Sequence, residues 1–130
     1  MPSAIERVGV GGHLAAIERL KRALAAEGLF AAERKRPVPF MPRAVGVVTG
    51  ADAAARGDVL TGILARYPGA HVVVAETRVQ GLGAPQRIVE ALAAIGRHPL
   101  VDVVVLARGG GSFEDLLPFS DEEVVRAVAA

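Results

Sequence analysis

Cysteine and tryptophan are absent from the chain, and aromatic residues make up only 4% of it. Without cysteine there is no disulfide framework, no thiolate metal site and no cysteine nucleophile, and nothing asks for an oxidising compartment, so a cytoplasmic address is expected. The shortage of rings leaves Phe30, Phe40, Tyr67, Phe113 and Phe119 as the whole stock on which nucleic-acid bases could stack. An excess of one charge is also missing: 15 Lys and Arg against 14 Asp and Glu give +1, which alone announces no nucleic-acid binder. Long apolar runs are lacking too. Val101 to Ala107 is interrupted by Asp102 and falls far below membrane-spanning length, and Met1-Pro2-Ser3-Ala4-Ile5-Glu6 does not read as a signal peptide, so a soluble protein with no membrane association is expected. His13, His71 and His98 are scattered without a carboxylate or second histidine at ligand spacing, which leaves a metal cluster or a Ser-His-Asp arrangement unsupported.

What is present is a hydrophobic content of 52% in 130 residues, enough for one core. Leu14, Ile17, Leu20 and Leu24 recur at helical spacing between His13 and Glu27, with Gly28 placed to end that helix. Residues 34–43 carry Pro37, Pro39 and Pro42 beside Arg34-Lys35-Arg36, and read as an extended, solvated connector whose basic run is also able to meet a phosphate backbone. Residues 1–43 are thus expected to form a leading helix and connector, and residues 44–130 an α/β domain. In the second part, strand patterns at Ala44–Thr49, His71–Ala75 and Val101–Ala107 alternate with helical patterns at Ala53–Tyr67 and Ala84–Ile95. Ser120-Asp121-Glu122-Glu123 reads as a capping box for a last helix.

Strands joined by helical crossovers run parallel, so the expected architecture is a three-layer open α/β sheet, Rossmann- or flavodoxin-like, incomplete at its C-terminal end. A strand order of 2-1-3 would set the loop after Thr49 beside the loop after Ala107 at the carboxyl edge, where such sheets bind ligands.

Two segments on that edge could carry chemistry. Arg108 is followed by Gly109-Gly110-Gly111-Ser112, a run whose backbone N–H groups can approach an anion without a Cβ in the way, while the planar Arg108 fork suits bidentate contact with phosphoryl oxygens. The same glycines also make an ordinary tight turn. Asp58, early in the second helix, could orient water or ligate a divalent ion; equally, Asp52 or Asp58 could simply favour the positive helix end. Gln80-Gly81, beside Arg78, could hydrogen-bond a backbone or sugar. Gly9-Val10-Gly11-Gly12 is rejected as a dinucleotide loop, because no strand precedes it and Leu14 replaces the third glycine.

In chain order, Ala25-Ala26-Glu27-Gly28-Leu29-Phe30, Lys35-Arg36-Pro37 with Pro39-Phe40 and Pro42, Val45-Gly46-Val47-Val48-Thr49, Tyr67-Pro68-Gly69, Val79-Gln80-Gly81, Ala107 to Leu116 and Phe119-Ser120-Asp121-Glu122 resemble the exodeoxyribonuclease VII large-subunit family. The resemblance implies exonucleolytic hydrolysis of single-stranded DNA to short oligonucleotides, in complex with several copies of a small helical subunit. It also implies that Asp58 and Arg108 are catalytic, with Arg108 clamping the scissile phosphate and Gly109, Gly110, Gly111 and Ser112 holding adjacent oxygens. Magnesium is left open. The family pattern has an arginine directly before the aspartate, where this chain has Gly57; Arg56 is the available substitute. The family's oligonucleotide-binding domain, its later Gly-His-Glu motif and its coiled-coil region are not in the 130 residues, so weak or absent activity is expected of the chain alone. A non-catalytic phosphate- or nucleotide-binding module is the alternative.

Overall fold

A computed structural model describes residues 2–50, 53–79, 81–109 and 113–130. The chain divides into two compact units, Met1–Pro37 and Val38–Ala130. The first is mainly helix α1 (Pro2–Ala26), followed by a 3-10 turn at Ala32–Arg34. The helix begins eleven positions before the expected His13, so Gly9, Gly11 and Gly12 lie inside it despite their poor helix propensity. That placement agrees with rejecting them as a phosphate loop. At the other end Gly28 takes a left-handed φ of 80° and donates to the carbonyl of Ala25, closing the helix as expected.

The second unit holds strands β1 (Ala44–Thr49), β2 (Val72–Glu76) and β3 (Val101–Leu106), with helices α2 (Ala53–Arg66), α3 (Ala84–Gly96), α4 (Phe113–Leu116) and α5 (Glu122–Ala129). The sheet order is β2-β1-β3 and both pairings are parallel, as the alternation of patterns predicted. Every residue of β1 is buried, which suits a central strand covered on both faces and explains its unbroken apolar run. Gly46 faces α3: a Cβ there would stand 2.8 Å from Ile95 Cδ1. On the same side Ile88 of α3 and Val124 of α5 join Val79 in a core cluster, with Leu92, Leu106 and Phe119 packed against it.

Asp102 is the one charge in β3, and the register explains it. Ala44 pairs with Val101 but Val45 pairs with Val103, so Asp102 is the extra residue of a bulge at the amino edge. Its carboxylate accepts from the Arg43 backbone N–H at 2.7 Å and from Arg43 Nη2 at 2.7 Å. These hydrogen bonds hold the Asp102 carboxyl below the usual carboxylate range.

The last helix starts one residue later than the capping box implied. Its N-cap is Asp121, whose side chain accepts from the Glu123 backbone N–H at 2.9 Å, whereas Ser120 ends the 3-10 turn Leu117–Ser120. Pro118 favours that turn in the first place, and moves the cap onward.

Candidate phosphate site at the carboxyl edge of the sheet

Three segments converge beyond the carboxyl ends of the strands. Thr77 N donates to Thr49 O at 2.9 Å, tying the chain after β2 to the end of β1, and Ala107 N donates to Val48 O at 2.9 Å, tying the chain after β3 to the same strand. Gly50 lets the first of these close in: a Cβ on it would lie 2.7 Å from Val79 Cγ2. The chain leaving β1 at Gly50 therefore does lie beside the chain leaving β3 at Ala107 and Arg108, as the 2-1-3 order requires.

Arg108 stands in this junction, directly after the strand extension through Ala107. It is half-buried, and its Nε is sealed from solvent. Enclosure of the inner nitrogen anchors that end of the guanidinium in the fold. Gly109 follows, half-buried; Gly110, Gly111, Ser112 and Gln80 lie outside the described residues.

Asp58 is placed differently. It is exposed in the second turn of α2. Arg56, two positions earlier, turns toward the sheet and forms an ion pair with Glu76 at the end of β2. Two residues correspond to about 200° around an α-helix, so Asp58 points away from the side that Arg56 occupies. The structure thus brings the end of β3, which Arg108 follows, beside the end of β1, and leaves Asp58 exposed on α2. Arg56, the substitute for the family's missing arginine, has a carboxylate partner, and a phosphate would have to compete with Glu76 for it. The pair is well exposed, at 42% and 48% of the two side chains, which makes that competition inexpensive.

Thr49 and Glu76 are two site residues that sequence reasoning did not single out. Thr49 is 1% exposed, and its hydroxyl makes no hydrogen bond among the described residues. Its only signal in the sequence is a hydroxyl at the end of an otherwise apolar strand. Glu76 ends β2 and has no local pattern that announces Arg56 as its partner.

Among the described residues no group of three or more His, Cys, Asp or Glu side chains gathers to hold a metal ion. His71 and His98 do approach edge to face, with ring centroids 6.4 Å apart, but they precede β2 and β3 at the opposite end of the sheet. Leu100 N donates to His98 Nδ1, which engages that nitrogen's lone pair.

The sequence pattern of the family described as Exonuclease VII, large subunit, matches residues 29–130, which include both the sheet and the Arg108 junction. The chain belongs to the exonuclease VII large-subunit family. Proteins named exodeoxyribonuclease 7 large subunit agree with it over nearly its full length: that of Nocardia farcinica is 57% identical over 126 residues, covering 97% of this chain and 30% of the relative. The corresponding proteins of Thermobifida fusca and Mycobacterium tuberculosis H37Rv are each 55% identical, over 97% and 98% of this chain and 31% of their own length. The chain spans about 30% of the length of these curated relatives. No helix among the described residues of this family member is long and apolar enough to cross a membrane.

Proposed function

We propose that the chain is part of the catalytic domain of a nuclease subunit that hydrolyses phosphodiester bonds of single-stranded DNA exonucleolytically, releasing short oligonucleotides. The placement of Arg108 carries this reading. It follows β3 at the carboxyl edge of the sheet with its inner nitrogen enclosed, and a glycine run follows it in sequence. A guanidinium in that position holds two oxygens of a phosphate and neutralises the charge that grows on them as an oxygen nucleophile attacks phosphorus. Gly109, Gly110, Gly111 and Ser112 supply further donors to the phosphate, Gln80 approaches the sugar or the next phosphate, and Arg56 shifts from Glu76 to the strand when DNA is bound.

Asp58 is the second catalytic candidate, and from α2 it would orient the attacking water. The chain spans about 30% of the length of its relatives, which supports weak hydrolysis by the 130 residues alone, because losing members of a catalytic set costs orders of magnitude in rate. Family membership supports a cytoplasmic assembly with the exodeoxyribonuclease VII small subunit. Magnesium is treated as an experimental variable.

Degradation of end-labelled single-stranded and duplex DNA, with and without magnesium and with and without the small subunit, tests the proposal. Cutting confined to single strands and lost in Arg108→Ala is the expected result for an assembled subunit. Saturation by a mononucleotide with no preference for single strands would instead assign a non-catalytic phosphate-binding module.

A further inference from the structure

Leu82 is an apolar side chain that the fold holds out in water at the edge where the site lies. It is 95% exposed. The backbone around it is closely determined: Ala84 N donates to Gly81 O at 3.2 Å, and Gly83 has φ 80° and ψ −2°. Those angles at the third residue define a type II turn, which needs glycine there because an L side chain resists positive φ. Leu82 occupies the first corner, between Gly81 and Gly83, with open space around both glycines. Arg78 Nη1 makes a long, 3.5 Å contact with the Leu82 carbonyl, and α3 begins immediately after the turn. A lone exposed leucine needs no explanation by itself. This one is displayed on an anchored corner next to a cation, on the segment that Thr77 and Val79 dock against Thr49 and Gly50.

Resting on the proposed function, we infer that Leu82 is a base-contacting residue of the single-strand site. A single-stranded polynucleotide alternates anionic phosphates with apolar base faces, and the segment after β2 carries the cationic Arg78 beside the apolar Leu82 corner. Leucine is among the side chains that wedge between neighbouring bases. In a duplex such insertion costs the unstacking of paired bases, so a residue that reads faces favours single strands. Residues 77–83 include no aromatic residue, so on this segment the exposed aliphatic one is the side chain available to meet a base.

Fluorescence anisotropy of the full 130-residue chain provides the test, using two labelled probes of about twelve nucleotides, within the range such sites cover. One is oligothymidylate; the other has the same phosphates and sugars without bases. Leu82→Ser should weaken binding of the first by about tenfold and leave the second unchanged, while Leu82→Met, which conserves volume, should bind like the parent. Thermal melting checks that these exposed substitutions leave the fold intact. Equal weakening on both probes, or no change on either, overturns the inference. If Arg108→Ala weakens both probes and Leu82→Ser neither, the phosphate reading stands and the Leu82 inference alone falls. If the parent chain binds neither probe, the proposed function fails and Leu82 with it.

Discussion

Gly50→Ala tests whether the junction of loops is as close as the structure shows. The added Cβ would lie 2.7 Å from Val79 Cγ2 and 3.8 Å from Thr77 O. Gly50 does not have positive φ, so the cost comes from space rather than from backbone strain. Val79 cannot easily give way. It is 7% exposed, packs with Ile88 and Val124, and as a β-branched residue has little rotamer freedom. Overpacking of this kind costs about 1–3 kcal/mol. In a unit of this size each kcal/mol lowers the melting temperature by roughly 4–8 °C. Circular dichroism melts of the parent, Gly50→Ala, Val79→Ala and the double variant form a complete cycle. Removing the Val79 methyls should recover most of the Gly50→Ala penalty, giving a coupling of about 0.5–3 kcal/mol. A Gly50→Ala chain that melts with the parent, or one that loses the same amount with Ala at 79, would refute the close approach.

Two other perturbations follow from the amino edge and the last helix. Because Arg43 holds the Asp102 carboxyl low, its stabilisation is fully present above the unfolded carboxylate value of about pH 4 and is lost as pH falls through the lower folded value. Asp102→Asn should therefore melt below the parent at neutral pH, with the gap closing in acid; a gap constant down to about pH 2 would contradict the pairing. Asp121→Ala removes the acceptor for Glu123 N and should cost about 1 kcal/mol in chemical denaturation, whereas Ser120→Ala should cost much less. Equal losses would restore Ser120 as the cap.

The strands and their order were legible because valine runs bounded by glycine and proline leave few alternatives, and helical crossovers force parallel pairing. The position of Arg108 at the end of β3 followed from the same pattern. Pairings between distant residues were not legible: nothing local in Glu76 announces Arg56, and the bulge that turns Asp102 toward Arg43 depends on the register of two strands. The start of α1 was missed for a different reason, since Gly9, Gly11 and Gly12 individually disfavour the helix that contains them. Leu82 was passed over because an isolated leucine between glycines carries no periodic signal; its meaning comes from the turn and its exposure.

Arg108 is proposed to hold a phosphate of a single strand through both arms of its guanidinium. The most direct measurement is the salt dependence of oligothymidylate binding by the parent, Arg108→Lys and Arg108→Ala. Loss of one phosphate contact should reduce the slope of log affinity against log salt by roughly 0.7 for Arg108→Ala. Arg108→Lys should keep the slope but bind more weakly, because the charge remains and the bidentate geometry does not. An Arg108→Ala chain with the parent's affinity and the parent's slope would contradict the account.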